Sequence, residues 1–381
     1  MQRRTIAPRP GWQRIVEEQG LIWHTGDDGQ PYWDESGCYV FTLAEIEQLE
    51  AATEAVYDLF LKAGDRIVKD AALLSSLGIP DFCHAAIRSE WKGDRPALDY
   101  GRFDFGWDGT GEPKLFEFNC DTPTAMLEAG AIQWDWKEQC FPQADQFTSL
   151  HDKLVERWRF MAPDLSGRIW FAHADDASGE DTLTTTYMRD LAEQAGLETR
   201  GLLIDEIGLD AAGRIVDGQD HLITAIFKLY PWEWIVAEEF GPAIVRNLPT
   251  TLWIEPIWKM LWSNKAVLAL LHDMFPRHPN LLPASLEPGK VGPSYVAKPI
   301  LAREGANIEL VRDGQVLAQS EGGYQAVPRV YQQLYPLRDF GRGYPVLGSW
   351  VVGGEAAGLG IREDGLITGN RARFVPHIIE G

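Results

Sequence analysis

Basic residues are scarce in this chain. Its 381 residues carry 35 lysines and arginines against 56 acids, a formal net charge of -21. A surface with that excess repels phosphate backbones, which disfavours nucleic acid as a partner. Cysteine is scarce too: Cys38, Cys83, Cys120 and Cys140 stand far apart with no Cys-x-x-Cys, so neither a disulfide frame nor a zinc site is expected. No apolar run approaches the roughly 18 residues of a membrane span. The opening Met1-Gln2-Arg3-Arg4 leads into no apolar stretch of a secretory signal, so the cytoplasm is the expected compartment. A Walker-type G-x-x-x-x-G-K-[ST], a G-x-G-x-x-G, a G-x-S-x-G and an H-E-x-x-H are all missing. P-loop, Rossmann, serine hydrolase and zincin readings lose their main support.

What remains is an ordinary globular balance, 45% hydrophobic and 24% charged, in a chain long enough for two or three lobes. Thr42 and Glu45 read as a capping box. Behind them Ile46, Leu49, Val56, Phe60, Ala63 and Ile67 recur at helical spacing, which predicts a helix packed on a core. Between about Leu98 and Asn119 the period changes to two. Asp108-Gly109-Thr110-Gly111 is a turn signal between two alternating runs, predicting an antiparallel hairpin. From about Gly167 to Lys228 strands and a helix alternate, as in a parallel α/β lobe. Pro231 to Trp262 is crowded with tryptophan and proline and shows no clear period. The last hundred residues mix strands with glycine-rich turns.

The hairpin carries the chemistry. Side chains two apart on a strand share a face, with Cα atoms about 6.5–7 Å apart. With Phe103, Phe105, Phe116 and Phe118 on the core side, Arg102, Asp104, Glu117 and Asn119 emerge on the other. Hard oxygen donors at that spacing suit Mg²⁺, and an adjacent arginine suits charge building on a transferring phosphoryl group. A solvated salt-bridge face is the plain alternative. Asp121-Thr122-Pro123-Thr124 follows, offering two hydroxyls or simply a turn into a helix. Lys298 ends an apolar strand, where a buried ammonium needs an anion. Arg303-Glu304-Gly305-Ala306-Asn307 then offers backbone N–H groups for phosphate oxygens. Lys265 is a second candidate phosphate contact. Trp232-Glu233-Trp234 reads as aromatic packing, with a sugar platform as the remoter option.

Taken in order, six segments resemble the synthetase domain of the glutathionylspermidine synthase family of ATP-grasp amide ligases. They are Arg102-Phe103-Asp104, Phe116-Glu117-Phe118-Asn119-Cys120-Asp121-Thr122-Pro123-Thr124, Trp262-Ser263-Asn264-Lys265, Val296-Ala297-Lys298-Pro299, Tyr331-Gln332-Gln333-Leu334 and Gly360-Ile361-Arg362-Glu363-Asp364. The chain looks like a short member without the amidase domain of the bifunctional enzymes. The resemblance implies an α/β (α+β) ATP-grasp fold like that of eukaryotic glutathione synthetase. The expected lobes are 12–165 with the metal-binding sheet, 166–255 with the parallel sheet, and 256–381 for ATP.

It also implies Asp104, Glu117 and Asn119 as ligands of two Mg²⁺ ions. Lys265, Lys298 and Gly305 would meet ATP phosphates, and Gln332, Gln333 and Leu334 the adenine. Arg102 and Arg362 would stabilise the transition state, and Thr122, Thr124, Glu180 and Asp181 would face the substrates. The implied reaction joins a glutathione-like peptide carboxylate to an amine such as a polyamine through an acyl phosphate. Partners are then small molecules, without nucleic acid or membrane. The alternative is a non-catalytic nucleotide- or peptide-binding protein on the same fold. Two departures fall on substrate recognition. Lys228-Leu229-Tyr230-Pro231 lacks the family's hydroxyl contact, and Arg371 and Arg373 stand where acids would hold the polyamine.

Overall fold

A capping box opens the longest helix. In the computed structural model, which describes residues 1–93 and 95–380, helix Leu43–Ile67 begins with the Glu45 amide donating to Thr42 Oγ1 at 3.3 Å. The Thr42 amide returns a bond to Glu45 Oε2 at 2.8 Å. Such a cap is worth about 1 kcal/mol. The apolar stripe behind it is buried as its spacing predicts, and it packs on a five-stranded antiparallel sheet. Phe60 meets Phe103 and Phe118 there, and those two rings stack at 3.8 Å between centroids.

That sheet holds the hairpin. Its strands run in the order Arg373–Phe374, Glu355–Asp364, Tyr344–Val352, Tyr100–Gly106 and Lys114–Asn119. Residues 344–374 therefore complete the sheet that the hairpin begins. Asp104 pairs with Glu117 and Arg102 with Asn119, so all four side chains share one face. Gly348 lies opposite Asp104 on the next strand. A Cβ at that position would stand 2.6 Å from Arg102 Cδ, so glycine lets the arginine lie flat across the sheet.

Phe116 departs from the expected alternation. A bulge between Asp104 and Phe105 pairs Phe105 with Leu115 and leaves Phe116 without a partner. Leu115 and Phe118 are buried, whereas Phe116 turns to the opposite side, against Tyr335 and Lys298. An extra residue on one strand resets which side chains face the core.

The alternating segment forms a parallel sheet in the order Leu252–Ile254, Ala225–Leu229, Ile169–His173, Thr199–Leu203, with helix Glu180–Gln194 packed on it. The tryptophan-rich stretch breaks into short pieces, among them helices Trp232–Ile235 and Gly241–Asn247. A second five-stranded antiparallel sheet follows, in the order Ala284–Ser285, Arg329–Gln333, Tyr295–Pro299, Glu309–Arg312, Gln315–Gln319. A small sheet ties the two ends of the chain together, with Gly37–Phe41 between Gln2–Thr5 and His377–Ile379. No described helix is long and apolar enough to cross a membrane. The four cysteines are free.

Candidate active site

The hairpin, the helix at Glu180 and the strand ending at Pro299 face one cleft of about 360 Å³. Every candidate residue lines it: Arg102, Asp104, Glu117, Asn119, Thr122, Thr124, Glu180, Asp181, Lys265, Lys298, Gly305, Gln332, Gln333, Leu334 and Arg362.

At its floor two arginines grip one carboxylate. Arg102 donates from Nε to Asp104 Oδ1 at 2.8 Å and from Nη1 to the Thr124 carbonyl at 2.9 Å. Arg362 Nη2 donates to Asp104 Oδ2 at 2.6 Å. Asn119 Nδ2 bridges to Asp104 Oδ2 at 3.2 Å and to Glu117 Oε1 at 3.5 Å.

Glu117 is the counterpart on the lysine side. Lys265 Nζ stands 3.3 Å from its Oε2. Burial works to raise the Glu117 carboxyl, but Lys265, Lys298 and Arg362 outweigh it and hold the group at about 2. Lys298 is only 6% exposed. It donates to Gln332 Oε1 at 2.9 Å and to the Phe116 carbonyl at 3.0 Å. Burial, with Lys265 adding to it, pushes its ammonium down to about 8. A lysine desolvated in this way gains most from an incoming anion.

Gln332 thus acts through its side chain, which also donates from Nε2 to the Leu115 carbonyl at 2.9 Å. The amides of Gln333 and Leu334 already donate to the carbonyls of Pro283 and Ser294. Gly305 sits at φ +69° in the loop after Pro299, where a Cβ would lie 2.5 Å from the Thr368 carbonyl oxygen. Only glycine permits that approach.

On the opposite wall, burial raises the Glu180 carboxyl against the lowering effect of the nearby Thr124 hydroxyl. Asp181 is pushed up to about 6 by burial, with Asp176 and Glu180 adding to it. The donor set fits a hard cation. Among the described residues no group of three or more histidine, cysteine or acidic side chains is gathered as a self-contained metal cage. Two carboxylates and an amide oxygen would leave positions for water and phosphate oxygens, as Mg²⁺ requires.

Three arrangements escape the sequence. Arg303 crosses the cleft, donating to Thr122 Oγ1 at 2.8 Å and to Glu233 Oε1 at 3.3 Å, with its guanidinium 5.3 Å from the Trp234 ring. Its segment points to phosphate contacts only through backbone groups. Trp232 is fully buried as packing requires, yet Trp234 is half-exposed and lines the cleft. Tyr32 also lines the cleft, from a segment with no recognisable motif.

The departures also resolve differently from expectation. Arg373 donates to Glu363 Oε1 at 2.6 Å, and Arg371 is exposed. Neither lines the cleft; Ala372 between them does. Glu363, paired with Arg373 on the neighbouring strand, holds that side chain away from the cleft. In the other segment Lys228 is wholly buried. It pairs with Asp121 Oδ1 at 2.5 Å, while Asp121 Oδ2 accepts the Trp232 amide at 2.8 Å. The pair fastens the Thr122–Thr124 turn to the parallel sheet. Lys228→Ala strands a buried carboxylate and is expected to cost about 3–5 kcal/mol, read as a lower midpoint in urea unfolding.

The fold defines a class first. Over 98% of the chain and 100% of its counterpart, the backbone matches a glutathione synthetase-like effector from Globodera pallida with a TM-score of 0.56 at 12% identity. This is an α/β fold of the ATP-grasp type. A family profile described as glutathionylspermidine synthase preATP-grasp matches residues 3–380. A Haemophilus influenzae protein, provisionally named an acid–amine ligase, is 39% identical over 92% of this chain and 91% of its own length. The Escherichia coli bifunctional glutathionylspermidine synthetase/amidase is 30% identical over 86% of this chain. The Crithidia fasciculata trypanothione synthetase is 29% identical over 84%. The chain covers 56% and 53% of those two longer relatives. It belongs to the glutathionylspermidine synthase family, whose named members are ATP-dependent C–N ligases.

Proposed function

We propose that the chain is an ATP-dependent ligase that joins a glutathione-like peptide carboxylate to an amine such as a polyamine. One observation carries the reading. A buried lysine with a lowered ammonium and a second lysine flank Glu117, while two arginines converge on Asp104, across one hairpin register. Such an array holds polyphosphate and stabilises charge during transfer.

The substrate carboxylate attacks the γ-phosphorus, the bond to ADP breaks, and an acyl phosphate forms. The amine then attacks the carbonyl carbon and phosphate leaves. Lys298 and Lys265 would hold the phosphates, with the Gly305 loop closing over them. Adenine would meet the carbonyl groups of Gln333 and Leu334, because their amides are already donated, while Gln332 would act through its side chain beside Lys298. Asp104, Glu117 and Asn119 would hold Mg²⁺, which when bound neutralises phosphate oxygens. Arg102 and Arg362 would follow the charge to the tetrahedral carbon. Thr122, Thr124, Glu180 and Asp181 would face the peptide and the amine. With Arg371 and Arg373 outside the cleft, its acidic wall stays suited to a cationic amine.

The test is incubation with Mg-ATP, a panel of γ-glutamyl peptides and a panel of amines, following ADP and new masses. The expected result is ADP release that requires one member of each panel, with a product at the summed mass less water. Nucleotide binding with no productive pair would overturn the reading in favour of a binding protein.

A further inference from the structure

Glu128 is an acid that the scheme above leaves without a task. It is 3% exposed, and its Oε1 accepts a hydrogen bond from the Tyr32 hydroxyl at 2.7 Å. Tyr32 lines the cleft and lies within range of the charges of Arg362 and Glu180. Glu128 thus sits one residue behind the cleft wall, linked to it by a phenol. It opens a π-turn, Glu128–Ile132, inside the helical segment 126–140; such turns gather at functional sites.

The ligation has a proton problem. An aliphatic amine with a pKa near that of lysine, about 10.4, enters at neutral pH as an ammonium ion and cannot attack until it loses a proton. Resting on the ligase reading, we propose that Tyr32 and Glu128 form a relay that takes this proton. The ammonium N–H passes to Tyr32 Oη as the phenol proton passes to Glu128 Oε1. The neutral nitrogen then attacks the acyl carbon, and its second proton departs with the phosphate. Tyr32 touches the substrate; Glu128 acts through it and is a positioning residue.

The surroundings set the pH response. Tyr32 faces Glu128 from the segment before the first long helix, Arg102 from the hairpin, and Glu180 and Tyr187 from the helix Glu180–Gln194. Burial pushes the Glu128 carboxyl up to about 7, and Glu180 adds to this against the Tyr32 bond and Arg102. Below that pH the acid is protonated and cannot accept. Amide formation should therefore rise with pH through about 7, beyond the amine's own ionisation.

The experiment compares an aliphatic diamine with hydroxylamine, which is largely unprotonated at neutral pH and captures the acyl phosphate as a hydroxamate. Glu128→Gln keeps the shape of the side chain, and Tyr32→Phe keeps the ring should the first variant fold poorly. In both, the ratio of amide to hydroxamate is expected to fall on the order of 10²-fold. The limb near pH 7 should disappear in Glu128→Gln. A parallel fall of both products, or an unchanged ratio with the limb retained, overturns the relay. A wild-type protein that forms neither product overturns the ligase reading, and the relay with it.

Discussion

Glu117→Ala is expected to lower ATP turnover by about 10³-fold or more, because it removes a proposed Mg²⁺ ligand that also stands against the lysines. Loss of one group aimed at developing charge costs about 10²–10³ in rate, and on the proposed scheme a Mg²⁺ ligand is lost as well. The lysines make the outcome specific. Lys265 stands 3.3 Å from Glu117, and Lys298 is also influenced by its charge. Without the acid an incoming polyanion no longer meets a carboxylate between the lysines, and it takes over from Glu117 in holding the Lys298 ammonium up. Metal-free ATP should then bind at least as tightly as in the wild type while turnover collapses. Calorimetric titration with ATP in EDTA reads the first, and ADP release the second. Weaker metal-free binding together with a lowered melting temperature would instead mark loss of fold.

The second large effect is expected from Arg102→Lys. The guanidinium reaches Asp104 and the Thr124 carbonyl at once from two nitrogens of a rigid fork. A lysine carries the charge but only one flexible head, so it meets one partner and leaves the other. Thr124 then loosens at the cleft wall beside Glu180. The expected result is a fall in kcat of about 10²–10³ with little change in KM for ATP, because the contacts assigned to the phosphates lie elsewhere. A kcat within threefold of wild type would remove Arg102 from the reacting centre.

The hairpin was legible because two local signals agree: period-two alternation and an Asp-Gly turn. The long helix was legible from its capping box and stripe, and the parallel lobe from its alternating elements. Each of these signals is carried by residues that are near neighbours in the chain. What escaped depends on partners far away in the chain. The bulge that turns Phe116 toward the cleft arises from register against Tyr100–Gly106. The direction of Arg373 is decided by Glu363 on the neighbouring strand. Tyr32 and Glu128 are 96 positions apart, and neither lies in a motif. Arg303 crosses the cleft because Glu233 and Trp234, some 70 residues earlier, form short helical pieces with no period to read.

The proposed reaction activates a carboxylate as an acyl phosphate and passes it to an amine. Oxygen transfer reads this directly. With the peptide carboxylate labelled with ¹⁸O, mass spectrometry of the released phosphate should find one ¹⁸O per phosphate, with one ADP and one amide formed alongside. Unlabelled phosphate accompanying ADP release would contradict the account, since the bond to phosphorus would then have come from water.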